Sequence, residues 1–171
     1  MKFVDIPLFI KDYAHDITKR RVAINRDRYA GTSKQRKGTK QSLLLGEVDR
    51  EYYTEYIGII GELLTRYYYE ISPTHTSYTA STLIKEGRLV KDDTDLSVVK
   101  NGERQKIGIK AGEGSYKFNS KALEKENSDI IVFLLFTSPN QYAVDKFTVD
   151  EIRQWELKQG PYGAPYYERR I

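Results

Sequence analysis

Seven consecutive apolar residues, Ile130-Ile131-Val132-Phe133-Leu134-Leu135-Phe136, constrain this chain more than any other stretch. In a β-strand successive side chains leave on opposite faces, so an unbroken apolar run of strand length must be covered on both sides. The run is far shorter than the roughly 20 residues that a membrane-spanning helix needs. It therefore predicts a central strand with further layers above and below it. Ser138-Pro139-Asn140 then turns the chain, and Tyr142-Ala143-Val144 can pair back on it.

A second strand signal lies upstream. Thr94 to Val99 and Gln105 to Ala111 are short runs with alternating apolar residues, joined through Lys100-Asn101-Gly102-Glu103. Asn-Gly tolerates the positive φ that a tight hairpin turn demands, so the pair reads as a β-hairpin. Period-two alternation sends Ile107, Ile109 and Ala111 to one face and Lys106, Gly108 and Lys110 to the other.

Helical spacing appears in three places. Pro7 to about Val22 repeats Leu8, Phe9, Tyr13 and Ile17, and a longer helix runs from about Asp49 to Ile71, stopped by Ser72-Pro73. Tyr53, Ile57, Ile60, Leu64, Tyr67 and Ile71 form its expected buried stripe, Ile59 and Leu63 widen the apolar surface, and Gly58 and Gly61 permit a close approach by another segment. Thr148 and Glu151 stand in capping-box spacing at the head of a helix carrying Val149, Ile152, Trp155 and Leu157 and ending at Gly160-Pro161. Asn119 or Ser120 can cap a short helix to about Glu126, after a polar loop from Gly112 to Phe118. Thr76 to Thr79 and Leu83 to Val90 are weaker strand candidates, and the tyrosine-rich tail is expected to pack on the domain. Together these predict an α/β fold with a central mixed sheet of four or five strands flanked by helices. At 171 residues it reads as a single domain, with a helix and basic loop over 1–48 and the core over 49–171.

Composition narrows the chemistry. The chain has no cysteine and two histidines, His15 and His75, in unrelated contexts, which excludes disulfides, thiolate zinc and cysteine nucleophiles. A mean hydropathy of −0.62 and the lack of an apolar leader after Met1 predict a soluble, cytoplasmic protein without a membrane partner. The net charge is +4 and unevenly distributed. Between positions 19 and 40 stand Lys19, Arg20, Arg21, Arg26, Arg28, Lys34, Arg36, Lys37 and Lys40 against one acid, Asp27. Such a segment suits a phosphate backbone, with Tyr29 available to stack; the plainer reading is a solvated loop.

Glu62 in the long helix, Asp95 entering a strand and Lys110 on the next strand resemble the PD-(D/E)XK nuclease superfamily, with its restriction-endonuclease-like fold. The resemblance covers about Gly58 to Phe136, and the Val149 helix fits it too. It implies a Mg²⁺-dependent endonuclease, with Mn²⁺ as the substitute ion, that cuts double-stranded DNA as a homodimer in a restriction or homing role. Asp95, Glu62 and the carbonyl of Ile109 would hold the ion, and Lys110 would orient the attacking water. One departure matters: Gly108 stands where the family carries Glu or Asp, two residues before Lys110. Glu113 has the wrong strand parity to replace it, and Glu103 lies in the turn. A variant using another acid, an inactive relative that binds nucleic acid, and a glutamate replaced to prevent cleavage all fit this glycine. A protein-interaction domain built on its tyrosines is a third function.

Overall fold

The computed structural model of the chain describes residues 2–69, 84–85, 88–89, 96–161 and 163–171. It begins with β1 (Phe3–Asp5), α1 (Leu8–Tyr29), the hairpin β2 (Thr39–Ser42) and β3 (Gly46–Asp49), and α2 (Arg50–Tyr68). Two residue pairs, β4 (Ile84–Lys85) and β5 (Arg88–Leu89), precede the predicted hairpin, β6 (Leu96–Lys100) and β7 (Glu103–Glu113). Then follow β8 (Ser115–Asn119), α3 (Ser120–Glu124), β9 (Ile130–Ser138), β10 (Gln141–Phe147), α4 (Val149–Arg153), β11 (Glu156–Gln159) and β12 (Pro165–Arg170).

The central sheet has five strands in the order β1-β10-β9-β7-β6. Its β7–β9 pair is parallel and the other three are antiparallel, so the sheet is mixed, as the sequence predicts. Asn101 (φ 53°) and Gly102 (φ 80°) make the turn of the β6–β7 hairpin in the left-handed region their residue types allow. Between the parallel strands the chain crosses through β8 and α3, and β8 leaves to build a three-stranded sheet in the order β11-β12-β8.

Strand β9 is the axis of the molecule. Val132, Leu134 and Phe136 face a core made with Ile10, Ala14 and Ile17 of α1 and Tyr56, Ile60 and Leu64 of α2. Ile131, Phe133 and Leu135 face a second core with Tyr116, Phe118, Leu123, Phe147 and Ile152. The unbroken apolar run is thus explained by burial on both sides.

Several expected elements differ. Helix α1 runs past Val22 to Tyr29, because polar groups hold its last turns: Asn25 Nδ2 donates to Glu55 Oε1 at 3.0 Å, and Arg21 Nε lies 2.8 Å from Glu55 Oε2, an ion pair without the angle of a hydrogen bond. The buried face of α2 keeps Ile60 and Leu64 of the expected stripe, with Ile57 packed against it, and is centred on Tyr56, Ile59 and Leu63, whereas Tyr67 is 43% exposed. A tyrosine with a phenolic tip suits a rim better than a dry core. Gly112 to Phe118 is not a loop: β7 continues to Glu113, Gly114 turns at φ 80°, and Tyr116 and Phe118 are buried on β8. The Thr148 capping box is present, but α4 ends at Arg153, and Leu157, 58% exposed, lies on β11. The tail packs on the domain as β12, paired with β8 and β11. Ile71, Ser72-Pro73 and the strand at Thr76 to Thr79 lie outside the described residues. Among the described residues no helix is long and apolar enough to cross a membrane.

Of the two glycines in α2, Gly61 makes the close contact and Gly58 does not. A Cβ on Gly61 would sit 2.6 Å from Ala111 Cβ, whereas one on Gly58 would meet nothing within 4 Å. Gly61→Val is therefore expected to cost about 2–3 kcal/mol through overpacking. Gly58→Ala is expected to gain up to about 1 kcal/mol through helix propensity. Urea unfolding midpoints of the two variants should move in opposite directions, and a shift of both in the same direction would refute this assignment.

Candidate active site

Strand β7 carries the residues that the sequence singles out. Ile107, Ile109 and Ala111 face the core under α1 and α2, as the alternation requires. Lys110 leaves by the other face, half-buried, with Nζ 4.8 Å from the centroid of the Phe118 ring. That cation–π contact places its ammonium at the rim of the second core.

Glu62 stands on α2, half-buried, on the helix covering the opposite face of β7. The two residues are nevertheless chain neighbours of a touching pair, Gly61 and Ala111. With 3.8 Å between consecutive Cα atoms, the Cα atoms of Glu62 and Lys110 are at most about 13 Å apart. Their side chains nevertheless leave on opposite faces of the sheet, Lys110 toward Phe118 and Glu62 from the helix on the Ala111 side. Asp95 lies outside the described residues, and the recorded β6–β7 pairing ends at Leu96↔Ile107, one position before Gly108. Among the described residues no three His, Asp or Glu side chains are grouped to hold a metal ion.

Gly108 is buried beneath the loop that leads into β9. The Lys106 N–H donates to Asp129 Oδ2 at 2.7 Å and the Asp129 N–H donates to the Lys106 carbonyl at 3.0 Å, which latches that loop to β7. Ser128 Oγ, itself donating to Glu126 Oε1 at 2.6 Å, would lie 3.0 Å from a Cβ on Gly108. A side chain at 108 requires this serine to give by a few tenths of an ångström.

Glu113 is on the Ala111 face, as its parity predicts, and it ties the β2–β3 hairpin to the sheet. Its Oε1 accepts from Ser42 Oγ at 2.6 Å and from the Leu44 N–H at 3.2 Å. Burial, with the Glu113 carboxylate as hydrogen-bond partner, pushes the Tyr53 hydroxyl up to about 12. Lys40 Nζ lies 3.9 Å from the centroid of the Tyr53 ring. Burial lowers the Lys40 pKa, Arg50 and Lys117 lower it further, and Glu113 opposes them. Arg50 and Lys117 thus stand near Lys40, with Glu113 beside it and Lys117 also 3.6 Å from Glu168. Sequence reading missed both, because one heads a helix and the other comes from a strand mistaken for a loop.

The basic segment is less free than its composition suggests. Lys19, Arg20, Arg21, Arg26 and Arg28 lie on α1, not in a loop. Acids on α2 and its cap neutralise several of the nine: Arg21 and Arg36 approach Glu55 (2.8 and 3.9 Å), and Arg26 approaches Asp49 (3.2 Å) and Glu51 (3.8 Å). Arg20 pairs with Asp16 one turn back at 3.6 Å. Arg28 and Lys34 flank the Tyr29 ring at 5.4 and 5.7 Å, and Lys37 lies in the irregular stretch before β2. A long-range match between helices was invisible in a window that counted one acid.

A structural carboxylate lies on the small sheet. Glu168 accepts from Lys158 Nζ and from Ser115 Oγ at 2.8 Å, with Lys117 Nζ at 3.6 Å, and these partners hold its carboxyl at about 2, below the ordinary 4.5. A carboxyl depressed in the folded state stabilises fully above its unfolded pKa and loses that contribution as pH falls toward 2. Glu168→Gln is expected to flatten the decline of the melting temperature between about pH 5 and 2. An unchanged acid limb would show that the network contributes nothing. Comparison of the chain with family models, with curated proteins and with solved structures finds no match.

Proposed function

We propose that the chain is a Mg²⁺-dependent endonuclease acting on double-stranded DNA, with a restriction-endonuclease-like arrangement of its α2-to-β9 core and a homodimer as the cutting unit. The observation that supports the reading is the Gly61–Ala111 contact, which packs the helix carrying Glu62 directly on the strand carrying Lys110. Asp95, Glu62 and the Ile109 carbonyl would hold the ion, an all-oxygen donor set of the kind Mg²⁺ takes, with Mn²⁺ able to replace it. The bound ion supplies charge neutralisation at the phosphodiester and acidifies water. Lys110 orients the attacking water and stabilises the charge developing on phosphorus; Phe118 fixes the direction of its ammonium.

A second reading has its own observation. Ser128 lies 3.0 Å from where the first side-chain carbon at position 108 would stand, so the glycine is matched to its packing. That favours a non-catalytic nucleic-acid-binding protein on the same scaffold. Incubation with supercoiled plasmid in Mg²⁺, Mn²⁺ or chelator separates the two. The nuclease reading expects metal-dependent conversion to open-circular DNA. No conversion, with gel-shift binding that weakens steeply as salt rises, leaves the binding reading standing. Silence in both assays would refute both.

A further inference from the structure

The central sheet ends at β1, and among the described residues no strand pairs with its outer edge. The Ile6 N–H donates to the Asn140 carbonyl at 2.7 Å, so Ile6 and, two residues back, Val4 turn their backbone groups toward β10. Phe3 and Asp5 alternate with them, opposite Ala143 and Gln141, and their N–H and C=O groups face outward. Pro7, the next residue of that parity, has no N–H to offer. The free edge is thus short, and its two hydrogen-bonding residues stand symmetrically about Val4.

Large apolar side chains crowd this edge on both faces of the sheet. On the helix side Val4 packs against the main core, with Tyr142 as its neighbour on β10. Burial raises the Tyr142 pKa and the nearby Tyr67 adds to it, and Phe9 meets the Tyr67 ring edge-on at 6.0 Å. Phe3 leaves by the opposite face, beside Ala143. Phe3, Leu8, Phe9 and Tyr67 are between 43 and 72% exposed. With a large aromatic side chain offering roughly 150–250 Å², these four leave about 400 Å² in water. A standard dimer interface takes about 800 Å² from each partner, a little over half of it apolar, so the four residues come close to supplying the apolar share.

We infer that β1 pairs antiparallel with β1 of a second copy of this chain, joining two five-stranded sheets into one continuous sheet. The two-fold axis of such a pair stands perpendicular to the sheet between the two Val4 residues, and an isologous contact of this kind closes at two chains. Only this register satisfies both outward residues of each chain: Phe3 of either copy exchanges N–H···O=C bonds with Asp5 of the other. It sets the two Val4 Cα atoms about 4.5 Å apart as a non-hydrogen-bonded pair. The axis keeps the helices of both chains on one face, so the Phe9 and Tyr67 rings of the two copies approach above the joined edge while the two Phe3 rings meet diagonally below it. This pairing supplies a surface for the two-chain unit of the nuclease reading, yet it follows from the sheet edge and stands whether or not β7 cuts DNA.

Sedimentation equilibrium and hydrogen exchange on the full chain test the pairing. The mass should approach twice the 19.9 kDa of one chain, with a dissociation constant at or below about 10 μM. As concentration rises through that range the amides of Phe3 and Asp5 should gain protection, whereas those of Val4 and Ile6, bonded to β10, should be protected throughout. Asp5→Pro removes an outward N–H and no backbone bond to β10, so it should weaken association at least about tenfold while the circular dichroism of the fold is kept. Phe9→Lys, half-exposed on α1 and away from the strand, should weaken it comparably through the apolar surface. A single-chain mass at about 500 μM, a dimer that survives either substitution, or a mass that grows past two chains overturns the inference. Mass and nicking are read separately: a single chain that nicks DNA would strike the pairing alone, and a two-chain species that does not nick would strike the nuclease reading alone.

Discussion

Phe133→Ala is expected to lower the folding free energy by about 4 kcal/mol, within the usual range for emptying a buried phenylalanine site. Phe133 is 3% exposed on the central strand. Its ring meets Tyr116 at 5.6 Å, Phe147 at 5.8 Å, Trp155 at 5.6 Å and Phe118 at 6.1 Å, mostly edge to face. These partners come from β8, β10 and the segment after α4, so one side chain joins the small sheet to the large one. Truncation leaves a cavity that four rigid rings cannot collapse into, and so the cost should lie well above simple transfer of the lost surface. The urea midpoint should fall with the slope unchanged. Emission of Trp155, the chain's one tryptophan, should shift to the red before global unfolding. Phe9→Ala, at a position 52% exposed, is the control and should cost less than about 1 kcal/mol. A loss below about 1 kcal/mol for Phe133→Ala with unchanged Trp155 emission would show that the two sheets are held together elsewhere.

The central strand was legible because a strand buried on both faces has a signature that no other element of its length shares. The hairpin before it was legible because Asn101 and Gly102 state their turn type. Long-range matches were not. The β2–β3 hairpin is polar along its length and is fixed by Glu113, seventy-one positions from Ser42. Strand β11 has Leu157 exposed and exists through pairing with β12. For α2 both faces carry large apolar residues, so spacing alone admits two stripes. Ile60 and Leu64 were placed correctly, but Tyr53 and Tyr67 drew the stripe toward the rim, since a tyrosine scores as apolar while its hydroxyl seeks a polar rim.

The candidate site divides the same way. Strand parity correctly sent Lys110 away from the helices, and the small residue at 61 correctly marked a close approach. What covers Gly108 was out of reach of a local reading, because Ser128 arrives from a loop held by the Asp129–Lys106 latch. Charge counting between positions 19 and 40 likewise overlooked Glu55, Asp49 and Glu51, which come from the next helix and its cap.

A carboxylate restored at 108 is best tested with the tight contact to Ser128 relieved. The paired substitution Gly108→Glu with Ser128→Gly is expected to give Mg²⁺-dependent nicking of plasmid DNA, and adding Lys110→Met should reduce that rate about a thousandfold. Methionine keeps an unbranched stem beside Phe118 while removing the ammonium, so stability should hold and only chemistry should fall. Asp95→Asn should reduce the rate comparably, because an amide is a far poorer metal ligand than a carboxylate. Glu62→Gln should raise the Mg²⁺ concentration needed for half-maximal rate more than it lowers the rate at saturation. The unsubstituted chain separates the proposals further: nicking by it, lost on Lys110→Met, would mean that another acid serves in place of position 108. Nicking by the paired variant that ignores Lys110→Met would remove Lys110 from the site. No nicking by any form, with salt-sensitive DNA binding retained, would leave β7 as the scaffold of a binding protein whose glycine is there to seat Ser128.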